Sequence, residues 1–222
     1  MKTLLLKLAG PLQAYGTASH FETRSTDSHP SKSAVVGMIA AALGYGRDED
    51  DKIRALNDLD FAVRIDRPGR LLKDYHTAKK YKPDGKIDRT YVTNRYYLED
   101  ALFIVALAGE DVVMDGIYAA LARPCYPLFL GRRALAPTWD FILDLVDGDP
   151  IERLKTYPAE DTAEVLRIYA DAHLIEGTRR EMRRDYVRSF SQKNRQFDLR
   201  AESFIDIKAP IRETAHDAFS AL

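Results

Sequence analysis

The amino-acid sequence predicts an α+β fold with a ferredoxin-like core. Its predicted elements follow the order strand, helix, strand, and then again strand, helix, strand. A polar, basic segment interrupts this order at its midpoint, and a short β-rich segment follows the last helix. This succession of elements is typical of ferredoxin-like domains that carry an insertion and a C-terminal extension.

The first two elements have clear boundaries in the sequence. A short apolar strand is predicted at residues 3–8. A helix is predicted at residues 34–43, because Ser31 or Ser33 can cap its first turn and Gly44 is suited to its end. The polar residues between the strand and the helix indicate a loop.

The later elements are predicted from apolar periodicity and from breaking residues. Strands are predicted at residues 60–66, 98–107, 164–170 and 204–207. A helix is predicted at residues 111–122, where Pro124 follows its last turn. Together with the first strand and helix, these elements are enough to form one sheet covered by helices.

The polar segment between Lys73 and Tyr97 does not suit a buried core. It is rich in basic residues, and Pro83, Asp84 and Gly85 form a strong turn signal at its middle. We therefore predict that this segment forms a β-hairpin that protrudes from the domain.

Composition excludes several classes of protein. The single cysteine, Cys125, excludes an intramolecular disulfide and a multi-cysteine zinc site. The longest apolar stretch, residues 34–43, is too short to span a bilayer, and the first residues lack the features of a signal peptide. The sequence therefore predicts a cytoplasmic protein without membrane association.

The net charge of -1 hides a segregated charge pattern. Residues 64–95 contain ten basic and four acidic side chains, and residues 179–195 contain seven basic and two acidic ones. Between them, residues 140–164 contain eight acidic and two basic side chains. This pattern is typical of a protein that binds a polyanion on one surface, although a solvated surface of mixed charge would also explain it.

The predicted hairpin combines basic and aromatic side chains, among them Tyr75, His76, Arg95 and Tyr96. Basic side chains neutralise phosphates, and aromatic rings stack on unpaired bases. This combination favours single-stranded RNA as the ligand. Alternatively, the tyrosines pack against the body of the domain.

Two further segments are candidates for phosphate contacts. Gly131 allows a close backbone approach, and Arg132 and Arg133 can clamp a phosphate. In the loop before the first helix, Arg24, Lys32 and Ser33 lie near a helix start, whose free N–H groups suit an anion. The alternatives are an ordinary turn in the first case and simple helix capping in the second.

Catalytic signatures are scarce. The sequence contains no zinc-protease, Walker-loop or nucleophile-elbow motif. The acidic run at residues 48–51 is interpreted as a solvated helix start rather than a metal site. Tyr75 and His76 could perform metal-free general acid–base cleavage of RNA, but His76 could equally be a hydrogen-bonded strand residue.

Several motifs in order resemble Cas family five, the CasD subunits of type I-E CRISPR Cascade complexes. The motifs that carry the resemblance are LAGPLQAYG at residues 8–16, PSKSAVVG at 30–37, ALG at 42–44, DYHT at 74–77 and YPLFLGRR at 126–133. They extend over about residues 1–137. Beyond that point the resemblance lies mainly in length and in basic character.

The resemblance implies a modified ferredoxin-like (RRM-like) domain of the RAMP superfamily, with a thumb-like hairpin. Members of this family hold the 5′ repeat-derived handle of the guide crRNA. They contact the backbone subunit and the large subunit, which recognises target DNA. Relatives in type I-C systems cleave precursor RNA themselves, whereas a separate subunit does so in type I-E.

The sequence therefore predicts a non-catalytic RNA-binding subunit for antiviral defence, with no cofactor and no metal. Residues 1–137, with a thumb at about 77–97, would form the RNA-binding domain, and residues 138–222 a small C-terminal extension. The predicted RNA contacts are Gln13, Tyr15, Arg24, Lys32, Ser33, Tyr75, His76, Arg95, Tyr96, Gly131, Arg132 and Arg133. The alternatives are a metal-independent endoribonuclease that processes precursor crRNA, and a scaffold whose basic segments contact acidic protein surfaces.

Overall fold

The computed structural model describes residues 1–18, 22–161, 163–177 and 179–210. In these ranges the chain forms a mixed α/β fold with one large antiparallel sheet, one small sheet and four α-helices. No helix in the described ranges is both long enough and apolar enough to cross a membrane.

The elements are numbered in chain order. The strands are β1 (Lys2–Ala9), β2 (Leu12–Gln13), β3 (Thr23–Arg24), β4 (Asp60–Arg67), β5 (Arg70–Tyr81), β6 (Ile87–Glu99), β7 (Leu102–Gly109), β8 (Ile142–Asp147), β9 (Val165–Asp171), β10 (Glu181–Ser189) and β11 (Gln196–Lys208). The helices are α1 (Lys32–Ala42), α2 (Asp50–Ala55), α3 (Asp111–Ala122) and α4 (Pro150–Thr156), with a 3-10 turn at Leu56–Asp58.

The large sheet has seven strands in the order β10-β11-β9-β4-β7-β1-β8. Strands that follow residue 137 lie at both ends of this sheet, with β8 at one edge and β9, β11 and β10 at the other. The predicted C-terminal extension thus continues the sheet of the first 137 residues. Its residues 211–222 lie outside the described part of the chain.

The two faces of the large sheet are covered by different helices, because alternate side chains of a strand point to opposite faces. Leu4, Leu6 and Leu8 of β1 belong to the core beneath α1 and α3. Leu5 of the same strand belongs to a second core that includes Leu154 of α4. Because its side chains alternate between the two faces, β1 contributes to both hydrophobic cores.

Helix α1 begins two residues before the predicted start at residue 34 and ends one residue before the predicted end at residue 43, but its cap and its stop are two that the sequence offered. The side-chain oxygen of Ser31 accepts a hydrogen bond from the Ala34 N–H at 3.3 Å, which caps the first turn. Gly44 follows with φ of +77°, the left-handed conformation that glycine adopts at least cost. The acidic run before α2 is also a helix start, with Asp50 and Asp51 in the first turn.

The predicted strand at residues 98–107 is wrong as a single element. Strand β6 ends at Glu99 and β7 begins at Leu102, so the chain leaves the small sheet and enters the large one between them. Asp100 makes this turn with φ of +54°. Apolar periodicity could not show the break, because Leu98 and Leu102 are both buried.

The polar insertion forms a long antiparallel hairpin of β5 and β6. Its turn is closed by a hydrogen bond from the Lys82 N–H to the Lys86 carbonyl, and Gly85 there has φ of +80°. Strand β2 pairs with the last residues of β6, and β3 pairs with β6 in parallel at Thr23 and Arg24. The small sheet therefore consists of the hairpin and two short strands that fasten its base.

A buried ion cluster joins the start of α1 to β9, β10 and β11. Its members are Lys32, Asp171, Asp185, Arg200 and Glu202. Arg200 donates to Asp185 at 2.8 and 2.9 Å, to Asp171 at 2.9 Å and to Glu202 at 2.6 Å. Charges this far from water must be paired, so the cluster fixes the relative positions of these four elements.

Candidate nucleic-acid interface

The hairpin presents two different faces to solvent. In the register of β5 and β6, Lys73 lies opposite Tyr96, whereas Asp74 lies opposite Arg95. Cross-strand partners share a face and neighbouring residues do not, so Arg95 and Tyr96 point to opposite faces. An RNA strand that lies on one face of the hairpin would therefore contact only one of these two predicted residues.

Tyr75 and His76 are separated in the same way. The Tyr75 side chain is 65% exposed, while His76 is half-buried on the other face, opposite Thr93. The His76 Nδ1 atom lies 3.4 Å from the Thr93 hydroxyl, which also donates to the His76 carbonyl at 3.2 Å. The histidine ring is thus oriented by its own strand partner.

Arg132 fastens the loop after Leu130 to the base of the hairpin. Its Nη2 group donates to the carbonyls of Arg24 and Tyr96 at 2.9 and 3.0 Å. Its guanidinium group also lies over the Tyr97 ring, 4.2 Å from the ring centroid. The structure thus gives Arg132 a positioning role that differs from the predicted phosphate clamp with Arg133.

Two buried guanidinium atoms at this base have no acceptor. Among the described residues, neither Arg95 Nε nor Arg132 Nη1 has a hydrogen-bond partner. Buried donors are nearly always paired, and a phosphate oxygen is a strong acceptor for a guanidinium group. Neither atom is accessible to solvent, however, so the structure does not present these two donors to an RNA phosphate.

Gly131 serves the fold directly. It has φ of +84°, and a Cβ atom added to it would lie 1.6 Å from the Ala14 carbonyl oxygen. The same segments are joined by a hydrogen bond from the Ala14 N–H to the Leu130 carbonyl at 3.2 Å. The close approach that was predicted for a ligand is instead made by the chain's own backbone.

We expect Gly131→Ala to lower the free energy of unfolding by about 3 kcal/mol, because the new methyl group would displace the loop from Ala14. Gly85→Ala is the matched control, since its φ is also positive but no atom lies within 4 Å of the added Cβ. Its expected cost is about 1 kcal/mol. Urea unfolding of both variants measures the difference, and equal losses would contradict this role of Gly131.

Three of the predicted RNA contacts are wrong because their side chains are buried and already paired. Gln13 donates to the carbonyls of Leu8 and Ala101 at 3.2 and 2.7 Å and accepts from the Tyr15 hydroxyl at 2.6 Å. Tyr15 is 3% exposed. Lys32 is part of the buried ion cluster and bonds Asp171 at 2.9 Å. All three side chains support the fold.

Three of the other predicted residues line one cleft. This cleft, of about 660 Å³, is lined by Ser33, Gly131 and Arg133 among others. Its walls include the apolar side chains of Met38, Leu128, Phe129, Phe190 and Phe197. Arg24, which is exposed, pairs with Arg95 in the small sheet, and its carbonyl accepts from Arg132. The cleft and the hairpin base therefore share the loop at residues 131–133.

Three arginines lie at the cleft, and two of them were not predicted. They are Arg47, Arg133 and Arg195. Within the described ranges none of them forms an ion pair with a carboxylate. Partial burial and the neighbouring charge of Arg47 lower the pKa of Arg195. An anion in the cleft would relieve this repulsion.

The sequence held only a partial signal for these two arginines. Arg195 belongs to the basic segment at residues 179–195, whereas Arg47 stands beside an acidic run. The two residues are 148 positions apart in the chain, so their proximity depends on the packing of β10 against α1 and α2.

One group of potential metal ligands lies elsewhere, at Asp60, Asp171 and His173. Asp171 is already occupied, since its oxygens accept from Lys32, from Arg200 and from the Phe61 N–H. His173 bonds Asp60 at 2.7 Å. With its buried carboxylate neutralised by two cations, this group is poorly suited to bind a metal ion.

Comparison with known proteins gives matches over most of the chain. A family model described as CRISPR-associated protein (Cas_Cas5) matches residues 3–201. The CRISPR system Cascade subunit CasD of Escherichia coli (strain K12) is 35% identical over 170 residues, which cover 69% of this chain and 76% of that protein.

Two solved structures are similar over nearly the whole chain. A chain of a CRISPR RNA-guided surveillance complex is 31% identical with a TM-score of 0.81, covering 98% of this chain and 96% of that one. A structure described as a Cas protein is 33% identical with a TM-score of 0.72, covering 96% of this chain and 100% of that one.

Proposed function

Because the chain belongs to the CRISPR-associated Cas5 family, we propose that it is a crRNA-binding subunit of a Cascade complex. In this role it holds the 5′ repeat-derived handle of the guide RNA and does not cut it. Its 35% identity to a Cascade subunit and its similarity to a chain of an RNA-guided surveillance complex support the proposal.

One observation carries the RNA-binding role. The basic hairpin and a cleft with three arginines lacking carboxylate partners in the described chain share the loop at residues 131–133. Phosphates would be neutralised by Arg47, Arg133 and Arg195. Bases would stack on exposed rings such as that of Tyr75. The combination suits a short single strand that runs from the cleft to the hairpin.

We include in the proposal a ferredoxin-like core and a thumb role for the hairpin. The path β1-α1-β4-β7-α3-β8, with the strand order β4-β7-β1-β8, supports the first part. The exposure of the hairpin supports the second, because most residues of β5 are accessible to solvent. The thumb would extend over Arg70–Tyr81 and Ile87–Glu99, and so begin before residue 77.

The proposed partners are the crRNA handle, the backbone subunit and the large subunit, with target DNA reached only through the complex. The proposed location is the cytoplasm, where the guide RNA is made. A scaffold without RNA would leave the arginines of the cleft without a ligand. Sequencing of the RNA that copurifies with the chain from its host distinguishes the two functions.

The contribution of the cleft is tested by removing one of its charges. We expect Arg195→Ala to weaken binding of a short single-stranded handle RNA about tenfold, and to lower the salt slope of log K by about 0.7, the value for one phosphate contact of a single strand. Arg188→Ala is the matched control, because Arg188 is exposed and paired with Asp198. It should bind within about twofold of the wild type.

Filter binding at several salt concentrations measures both quantities, and circular dichroism checks folding. Equal effects of the two variants would remove the cleft from the RNA site, since each loses one positive charge. A loss confined to Arg195→Ala with an unchanged salt slope would indicate a structural role for Arg195.

The absence of cleavage is a separate part of the proposal. Tyr75 and His76 point to opposite faces of the hairpin, so they are poorly placed to act on the same phosphate. We expect the purified chain to leave repeat RNA intact in EDTA, and His76→Ala to behave in the same way. Specific cleavage by the wild type that His76→Ala abolishes would instead establish the endoribonuclease function.

A further inference from the structure

A single exposed tryptophan marks a surface that is not part of the proposed RNA-binding site. Trp139 is the only tryptophan of the chain, and its side chain is 95% exposed. The backbone around it is held on both sides, by hydrogen bonds from Thr138 N–H to the Ala9 carbonyl and from Lys7 N–H to the Phe141 carbonyl. A large apolar ring is thus presented to solvent from an ordered backbone, and indole rings are rarely left so exposed.

The charge around Trp139 is negative. The Lys7 ammonium group lies between Asp140 at 2.9 Å and Glu160 at 3.3 Å, so one cation is shared by two carboxylates. The following strand, β8, adds the exposed side chain of Asp144, which pairs with Leu5 and so shares a face with Lys7. RNA phosphates are repelled by such a surface, which argues against stacking of Trp139 on a base.

Strand β8 lies at an edge of the large sheet and pairs only with β1 in the described chain. Acidic side chains on an edge strand discourage pairing with an identical edge. In a symmetric dimer through this surface, the acidic side chains of Asp140 and Asp144 from two copies would be brought together. The surface is therefore unsuited to a second copy of the chain and suited to a basic partner.

We propose that Trp139 and the acidic edge of β8 form a docking site for another protein subunit. That subunit would present an apolar pocket for the indole ring, surrounded by lysine or arginine side chains that complement Asp140 and Asp144. Tryptophan is among the residues that contribute most to protein interfaces when they are buried in a pocket. This docking site rests on the proposed function in one respect, because it requires that the chain belongs to a complex with other protein subunits.

The first experiment separates protein from RNA at this site. Because Trp139 is the only tryptophan, the emission of the isolated chain reports on its surroundings alone. Titration with a fluorescently labelled single-stranded handle RNA should reach saturation by anisotropy while the tryptophan emission stays unchanged. Quenching of that emission in step with RNA binding would overturn the proposal, because it would place the RNA against the indole ring.

The second experiment tests the partner. The full complex is purified from the host through the tagged chain as wild type, Trp139→Ala, Asp144→Lys and Met182→Ala. Met182 is the control, because it is 60% exposed on β10, at the opposite edge of the sheet. We expect Trp139→Ala and Asp144→Lys each to retain at most about a tenth of the wild-type amount of one protein component. Met182→Ala should retain every protein component at its wild-type amount.

The outcomes distinguish this proposal from the proposed function. Loss of one protein component with unchanged RNA content supports the docking site. Wild-type protein composition in Trp139→Ala overturns it, as does a wild-type chain that purifies without any other protein. A complex that contains protein partners but no RNA would contradict the RNA-holding function and leave the docking result valid. Thermal unfolding of each isolated variant confirms that the fold is retained.

Discussion

Replacing Arg200 with methionine is expected to lower the free energy of unfolding by about 3–5 kcal/mol. The substitution removes the donor that pairs with Asp171, Asp185 and Glu202, and leaves three carboxylates with too little positive charge around them. All of these side chains are buried, so water cannot replace the lost partner. The loss is a large fraction of the stability of a typical domain.

Two further variants make this prediction specific. Arg200→Lys keeps the charge but loses the planar, multidentate geometry, so it should fall between the wild type and Arg200→Met. Arg188→Met breaks an exposed ion pair with Asp198 and should cost about 0–1 kcal/mol. Urea unfolding followed by circular dichroism measures all three. Similar losses for Arg200→Met and Arg188→Met would mean that the buried cluster contributes little.

The stability of the fold should fall steeply in acid because of Glu202. Burial alone would raise the pKa of Glu202, but its hydrogen bond to His29 and the charges of Arg183 and Arg200 outweigh burial and lower the pKa to about 2. The unfolded chain therefore binds a proton at a higher pH than the folded chain does. The resulting stability is complete above about pH 5 and is lost as the pH falls towards 2.

The expected size of this loss is about 3 kcal/mol, at ~1.4 kcal/mol for each pKa unit. His29 adds to it, since burial lowers its pKa more than the hydrogen bond to Glu202 raises it. A histidine with a lowered pKa also destabilises the fold as the pH decreases, and this contribution begins near pH 6.5. Both groups therefore act in the same direction.

Glu202→Gln tests this assignment, because the variant should be less stable at neutral pH and should lose the component between pH 5 and 2. Glu152→Gln is the control, since Glu152 is exposed on α4 and should leave the pH dependence unchanged. Urea unfolding at pH 7, 5 and 3.5 provides the curves. A curve for Glu202→Gln that runs parallel to that of the wild type would show that other carboxylates control acid unfolding.

Local features of the sequence were sufficient for much of the fold. The cap at Ser31, the stop at Gly44 and the turn at Gly85 depend on a few neighbouring residues, and the structure has all three. The break at Asp100 was missed because both flanking segments are apolar. Whether a strand continues in one sheet or passes to another is decided by its partners, which local periodicity does not identify.

The candidate site was predicted less well, since burial depends on distant parts of the chain. The sequence motifs correctly indicated the family and a basic, aromatic hairpin. They could not show that Lys32 is neutralised by Asp171, which lies 139 positions away. Charge in the sequence therefore indicated an anionic ligand without showing which cations remain free to bind it.

The sequence by itself thus determined several strands and helices of the core, one cap and the family, because these follow from short-range preferences and from residue order. Only the tertiary structure decided that Lys32 is buried against Asp171, and that Arg47 and Arg195 meet at one cleft. Strand register and sheet packing join residues that are far apart in the chain. The free energy of those contacts depends on burial and on pairing, which exist only once the chain has folded.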